Sequence, residues 1–263
     1  CQCRAASAEP SGGFFSYKGE KEIPFVNWVA KIRAVAFVAW VAVVSIPLHL
    51  LMLLAIPFVF AFDGKRRQCY HLCCRVWAWI SLLPFIRVRV SGREKLPPAS
   101  QGAVYCSNHQ SIMDIFVLFL IGRPFKFISK KAVFFVPVIG SAMWLTGHVA
   151  LGRTDVRSQA EVFKKCVQLL TEDVSIMIFP EGTRSTDGKL QEFKSGAFKM
   201  GRRAKVPIVP ITLKGTNKVM PHGKGPLRCY TGVVDVVVHD AIEMGDMDVS
   251  EWSDATKNAI QAS

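Results

Sequence analysis

No Lys, Arg, Asp or Glu occurs between Ala34 and Phe62, a run of 29 residues in a chain of 263. Lys31 and Arg33 precede it, and Asp63, Lys65, Arg66 and Arg67 follow. At about 1.5 Å per residue the run is long enough to cross a bilayer as a helix. Pro47 and Pro57 interrupt it. Pro47 is expected to divide it into two shorter helical pieces, so a shallow re-entrant or interfacial hairpin is the other arrangement open to it. Its length and its basic flanks disfavour an ordinary core helix. A second apolar patch, Val76 to Ile86, carries Trp77 and Trp79, residues suited to a membrane interface. A lipid bilayer is therefore an expected partner.

Acidic residues are scarce. Twenty Asp and Glu stand against 33 Lys and Arg, giving +13, and mean hydropathy is +0.26. A basic and apolar chain suits an anionic membrane surface, a phosphorylated substrate, or both. Nucleic acid is the competing partner, but there is no basic helix with regular aromatic interleaving and no RNP-like string, so none is expected. The eight cysteines form no CxxC pair of pairs. Cys69, His71, Cys73 and Cys74 cluster, which raises zinc, yet no second ligand pair follows at finger spacing. They are read as thiols beside a membrane-adjacent helix, with no metal and no disulfide required. Internal repeats and low-complexity tracts are also missing.

The chain opens on Cys1 rather than Met, which reads as a processed or truncated product. Residues 1–25 are read as a disordered leader remnant, their small, polar, Arg- and Ser-containing start resembling the tail of an organellar transit peptide. Residues 26–86 form the membrane-associated helical segment, and residues 87–263 a separate domain. In that domain Arg87–Ser91, Ala103–Cys106, Phe125–Ser129, Ser175–Phe179, Ile208–Leu213 and Val233–His239 read as strands. Ser111–Ile121, Glu161–Leu170 and Phe198–Ala204 read as helices. Such alternation predicts an α/β fold with a mixed, largely parallel sheet flanked by helices.

The segment Ser107-Asn108-His109-Gln110-Ser111-Ile112-Met113-Asp114 is the most informative. A spacing of five turns through about 500° on a helix, so His109 and Asp114 meet only if His109 lies in the loop before the helix. Ser111 as N-cap would put Asp114 at the third helical position and leave His109 free to fold back. A carboxylate accepting one imidazole N–H fixes the tautomer and leaves the other nitrogen as a base for a hydroxyl or thiol. The plain alternative is a loop histidine and a carboxylate placed to suit the helix dipole.

A second segment, Ile176-Met177-Ile178-Phe179-Pro180-Glu181-Gly182-Thr183-Arg184-Ser185, runs from an apolar strand into a glycine turn. The carboxyl end of a strand is where α/β sheets place function. Gly182 lets backbone come close, and the Arg184 fork suits a phosphate. An ordinary turn with a surface ion pair fits the same residues. Lys130 and Arg153, between the two segments, are further phosphate candidates, although a lone Lys or Arg is more often solvated surface.

Asn108-His109-x-x-x-x-Asp114, then Phe179-Pro180-Glu181-Gly182-Thr183-Arg184-Ser185, then Val206-Pro207-Ile208-Val209-Pro210 resemble the ordered motif blocks of the glycerolipid acyltransferases, in particular the 1-acyl-sn-glycerol-3-phosphate acyltransferases of plastid type. Phe127-Ile128-Ser129-Lys130-Lys131 through Pro137 and Gly140 to Leu151-Gly152-Arg153 resembles their middle block. Departures are Ala132, where the family more often has an acidic or polar residue, and Ala150-Leu151-Gly152-Arg153, where it has Phe-Ile-Asp-Arg. The resemblance covers about residues 85–240.

That resemblance implies acyl transfer from a thioester, either acyl-CoA or acyl-carrier protein as co-substrate, to the sn-2 hydroxyl of lysophosphatidate, with no further cofactor. It implies His109 and Asp114 as the catalytic pair, and Glu181, Gly182, Thr183, Arg184, Lys130 and Arg153 around the substrate. It also implies a membrane location, in a chloroplast for a plastid-type member. Another lysophospholipid or glycerol 3-phosphate is an alternative acceptor. Cys106, three residues before His109, leaves open a thioesterase with an acyl-enzyme. A lipid-binding protein without turnover is a third class.

Overall fold

The computed structural model describes residues 24–152, 156–223 and 227–263. The leader expected over residues 1–25 lies outside them except at its last two positions, where a helix has already begun. That helix is α1 (Pro24–Leu54), followed by α2 (Ile56–Phe62) and α3 (Gln68–Leu82). The remaining elements are β1 (Arg87–Ser91), a 3-10 turn (Arg93–Lys95), β2 (Val104–Ser107), α4 (Met113–Phe119), β3 (Lys126–Lys130), a second 3-10 turn (Lys131–Phe135), α5 (Ile139–Thr146), β4 (Val149–Leu151), α6 (Val156–Thr171), β5 (Ile176–Ile178), α7 (Gly196–Ala204), β6 (Ile208–Lys214), α8 (Thr216–Val219), β7 (Val233–Val238) and α9 (Val249–Gln261).

The seven strands form one sheet in the order β1-β7-β6-β2-β5-β3-β4. β2 pairs in parallel with both β5 and β6, β3 in parallel with β4 and β5, and β1 in parallel with β7. The β6–β7 pair is antiparallel, so β1 and β7 run against the other five strands. The sheet is mixed and largely parallel, and the carboxyl ends of β2 through β6 open on one edge.

Strand residues alternate between two cores, as a period of two requires. Val104 and Cys106 of β2 join Ile176, Ile208, Phe198 and Trp252 under α6, α7 and α9. Tyr105 faces the other way and joins Met177, Val209, Phe116 and Leu118. Ala34 and Phe37 of α1 and Ala78 and Leu82 of α3 close this second core. The N-terminal helices therefore pack directly on the sheet's cover.

Pro47 does not divide the apolar run. Helix α1 continues through it, and the break comes at Ala55, where Pro57 opens α2 in its first turn. A mid-helix proline costs about 3 kcal/mol, and packing along α1 offsets it. Phe37 meets Phe85 and Phe116 edge-on at 5.2 and 5.4 Å. Trp40 Nε1 donates to the Ile80 carbonyl at 3.0 Å, and Trp77 Nε1 to Ser45 Oγ at 2.9 Å. Pro57 lies in a helical first turn, where its missing N–H removes no bond.

Elements absent from the sequence reading are β4, α5, α8, α9 and the 3-10 turns. α9 had a legible start, since Asp248 and Glu251 form a reciprocal capping box. α5 is a short, mostly apolar helix of eight residues and β4 has three residues, so neither shows a usable period.

Cations cap the end of α5 and join the helical segment to the sheet. Arg67 donates to the Trp144 and Leu145 carbonyls at 2.8 and 2.9 Å. Lys126, 2 % exposed at the start of β3, donates to the Thr146 carbonyl at 2.5 Å and to the Arg66 carbonyl at 2.7 Å. Burial, reinforced by Arg67, brings the Lys126 amine down to about 7. Such an amine is largely neutral in the fold above pH 7 and takes up a proton on unfolding, so its contribution to stability grows as pH rises from about 7 toward about 10. His71 and His148, held neutral by burial, act only below about pH 6.5. Denaturant unfolding in detergent should therefore show stability climbing between pH 7 and 8.5. Lys126→Met should flatten that slope and cost about 1–3 kcal/mol through the two orphaned carbonyls; a slope that persists in the variant assigns it to another group.

Candidate active site

Strand β2 ends in Ser107, and the chain turns at a buried Asn108 whose side chain takes over the pairing. Asn108 Nδ2 donates to the Leu213 carbonyl at 2.9 Å, and Oδ1 accepts the Leu213 N–H at 2.8 Å. The amide continues the contact with β6 while its own backbone leaves the sheet. His109 emerges at the carboxyl edge.

The carboxylate of Asp114 is fully buried. Its Oδ2 accepts the His109 Nδ1–H at 2.8 Å and the backbone N–H groups of Gln110 and Ser111 at 2.6 and 2.8 Å. Helix α4 starts one residue later than a Ser111 cap predicts, so Asp114 is its second residue rather than its third. The reason is local. Ser111 Oγ does accept the Met113 N–H at 3.2 Å, but it also donates to the Met220 carbonyl at 2.7 Å. The turn from Ser111 is closed by i→i+3 bonds before α-helical pairing begins. The loop placement needed for His109 to reach Asp114 holds regardless of that shift.

The His109 ring lies flat on Phe179, with centroids 3.8 Å apart and planes 11° off parallel. Its backbone N–H donates to Glu181 Oε1 at 2.7 Å, and its carbonyl accepts the Ser185 N–H at 2.8 Å. The β5 loop thus holds His109 from below and behind. With Nδ1 committed to Asp114, Nε2 is the nitrogen left to act as a base.

Glu181, implied among the residues around the substrate, is 3 % exposed, and both its oxygens are bonded to backbone. Oε1 takes His109 N–H, and Oε2 takes Gln191 N–H at 3.0 Å. Burial pushes its carboxyl upward, and the two N–H groups oppose that shift. Glu181 is a brace between the two loops. Gly182 adopts φ +72°, a conformation that favours glycine, and Lys194 packs against it where a Cβ would stand.

Arg184 is half-buried, and Thr183 is exposed. No ion pair engages Arg184 among the described residues. Arg184 and His109 both act electrostatically on His222, whose imidazole is lowered first by desolvation and then by those two neighbours. His222 had no sequence signal, since it lies in a loop after α8 with no motif around it. Phe179 and Asn108 stood inside quoted motifs, but their roles as stacking floor and strand surrogate needed the fold. Lys130 ends β3 at the same edge, exposed and without a hydrogen bond or ion pair to this cluster. Arg153 lies outside the described residues.

Two other groups weighed from the sequence have defined places. Cys106 is fully buried among Val104, Ile176 and Phe198, and burial pushes its thiol far up, which opposes thiolate formation. Around Cys69, Cys73 and Cys74, the His71 ring is buried against Phe125 and Phe119 at 4.9 and 5.5 Å. Among the described residues no three His, Cys, Asp or Glu side chains converge as a metal site.

A histidine held by a buried carboxylate at the carboxyl edge of a largely parallel sheet, beside an arginine-bearing turn, has the geometry that general-base chemistry requires. The family model described as Acyltransferase matches residues 87–214, which span both loops. A 1-acyl-sn-glycerol-3-phosphate acyltransferase of Chlamydomonas reinhardtii is 46% identical over 235 residues, 89% of this chain and 70% of that protein. A chloroplastic 1-acyl-sn-glycerol-3-phosphate acyltransferase of Arabidopsis thaliana is 42% identical over 226 residues, 86% of this chain and 63% of its own length. The crystal structure of the 1-acyl-sn-glycerophosphate acyltransferase of Thermotoga maritima shares the fold, with a TM-score of 0.73 at 21% identity, covering 88% of this chain and 96% of that one. The chain spans about two thirds of the length of the algal and plant relatives. It belongs to the 1-acyl-sn-glycerol-3-phosphate acyltransferases, an enzyme family.

The brace makes a specific expectation. Glu181→Ala leaves the His109 and Gln191 N–H groups without their charged acceptor, a loss of about 1.5–3 kcal/mol. If that falls on the base's alignment, kcat drops about tenfold to a hundredfold while both Michaelis constants stay within about twofold. Steady-state kinetics on purified protein measures this. A change confined to the lysophosphatidate KM would place Glu181 on the substrate instead.

Proposed function

We propose that the chain transfers a fatty acyl group from an acyl thioester to the sn-2 hydroxyl of 1-acyl-sn-glycerol 3-phosphate, giving phosphatidate. The observation that carries this reading is the 2.8 Å contact between His109 Nδ1 and the buried Asp114 Oδ2, together with the family of the chain. Nε2 of neutral His109 takes the hydroxyl proton as the oxygen attacks the thioester carbonyl. The C–S bond then breaks, and the leaving sulfur takes the proton back from the imidazolium. Asp114 holds the tautomer before attack and stabilises the imidazolium after it. Direct transfer needs no acyl-enzyme, and the burial of Cys106 supports that route over a thioesterase.

Arg184 is the proposed phosphate ligand, with Lys130 beside it and Arg153 as a further candidate. Its planar fork offers two parallel hydrogen bonds to a phosphomonoester, and no carboxylate competes for it among the described residues.

The site works at a bilayer. Val35, Val43, Ile46 and Leu54 of α1 are 70, 60, 59 and 79 % exposed, and Phe62 of α2 is 78 %. An unpartnered apolar face of this extent suits lipid. Trp144 of α5 stacks on Phe60 at 6.1 Å and extends that face onto α5. A chloroplast membrane is supported by the chloroplastic relatives of Arabidopsis thaliana and Brassica napus.

Purified protein given lysophosphatidate and a labelled acyl thioester should make phosphatidate. His109→Ala should abolish it, and Asp114→Asn should lower kcat by orders of magnitude through the wrong tautomer. Cys106→Ser should retain most activity; free fatty acid as product, or loss of activity in a folded Cys106→Ser protein, would restore the acyl-enzyme.

Phosphate recognition has its own test. Arg184→Lys keeps the charge but loses the fork, so it should raise the lysophosphatidate KM more than the donor KM, and Arg184→Ala should be worse, by roughly 2–5 kcal/mol if the pair is desolvated. An acceptor lacking phosphate should be poor with the parent and insensitive to the change. An effect confined to the donor KM would move Arg184 to the other substrate.

A further inference from the structure

Beside the dyad, at the carboxyl end of β6, an open cleft of about 630 Å³ lies between that strand, the loop after Gly188, α8 and the end of α9. Asn108 and Gln110, the two chain neighbours of His109, form part of its lining. Three lysines, Lys189, Lys214 and Lys218, also line it, and no Asp or Glu does. All three are exposed, and none is held in an ion pair among the described residues. Gln110 Nε2 donates to the Gly188 carbonyl at 3.0 Å, tying the cleft's loop to the residue next to the base. None of the lining residues belongs to α1, α2, α3 or α5.

That last fact separates the two substrates. A lysophospholipid reaches the site from the bilayer, along the apolar helices. An acyl thioester carried in water must approach from a surface those helices do not occupy, and its carrier is anionic. Coenzyme A and acyl-carrier protein share one chemical feature, a phosphate-bearing pantetheine arm that ends in the thioester sulfur. A cleft of this volume is within the usual range for such a ligand. Its three unpaired cations match the phosphate, and Gln110 brings its inner end to the reacting base.

The geometry points to the cleft walled by Lys189, Lys214 and Lys218 as the docking site for the phosphopantetheine arm of the acyl donor. This rests on reading His109 as the base of an acyltransferase. Exposed charges act mainly through long-range attraction, so the effect belongs in the donor KM and its salt dependence.

The test compares the full chain with a combined Lys189→Gln, Lys214→Gln, Lys218→Gln variant, using an acyl-CoA and an acyl-carrier protein of the same chain length. The donor KM is expected to rise about tenfold while the lysophosphatidate KM stays within about twofold. Raising the salt from 50 to 300 mM should weaken the parent's donor KM severalfold and the variant's little. The combined Lys→Arg variant should restore the parent values, and acyl-pantetheine, which lacks the phosphate, should narrow the gap between parent and variant. A rise for both donors assigns the shared arm, and a rise for one identifies which carrier supplies the contact. A donor KM unmoved for both, or a rise in the lysophosphatidate KM instead, overturns the assignment. Calorimetry with free coenzyme A and with unacylated phosphopantetheinyl carrier protein reads binding apart from turnover. If the parent made no phosphatidate, the acyltransferase reading would fail alone; binding of either ligand weakened about tenfold in the variant would still support the cleft, and equal or undetectable binding of both would overturn it.

Discussion

Asp114 Oδ2 is the point on which the rest of the site depends. One buried oxygen gathers an imidazole N–H and two consecutive backbone N–H groups. A carboxylate removed from water is costly unless its charge is met by donors, and here the donors come from the loop that must be shaped. Burial of Asp114 and the turn of residues 109–111 therefore stabilise each other. Neither is available to a chain that places His109 within the helix, because a spacing of five does not bring the two groups to one face.

A second carboxylate repeats the device across the sheet. Glu181 sits after β5, the parallel neighbour of β2, and accepts N–H groups from His109 and from Gln191. Two acids thus hold one histidine, one through the ring and one through the backbone, while Phe179 supplies a flat floor. Arg184 follows three residues after Glu181 in the same loop. The base and the cation of the edge are consequently set by a single strand pair, and their separation cannot drift without breaking β2–β5 register.

Much of this arrangement was legible in the residues. Strands showed themselves as short apolar runs because both faces of a parallel sheet are covered, and β1 and β6 were placed within a residue at each end. Helical geometry set the condition for the 109–114 contact, a loop position for His109, and the motif resemblance favoured it over a plain loop histidine. The misreadings have physical causes. Pro47 was weighed as a helix break from its local cost, whereas Phe37, Trp40 and Trp77 bind α1 to the rest of the molecule strongly enough to carry it. That Glu181 turns both oxygens to backbone was not legible, because a motif shows which residues cluster, not which way a carboxylate faces. His222, and the cleft formed by Lys189, Lys214 and Lys218, arise from loops distant in sequence and have no local pattern at all.

The resulting division of labour follows from solvent. The apolar face of α1 and α2 continues onto Trp144 of α5, while the lysine cleft is built from β6, α8, α9 and the loop after Gly188. An acyl transfer between a lipid and a water-borne thioester needs one reacting centre that both phases can reach. His109 borders the cleft through its neighbours Asn108 and Gln110, with its ring stacked on Phe179. The buried joint formed by Lys126 and Arg67 then has a mechanical consequence. By bonding the end of α5 to the α2–α3 connection and to β3, it fixes the N-terminal helices against the sheet on which His109 stands.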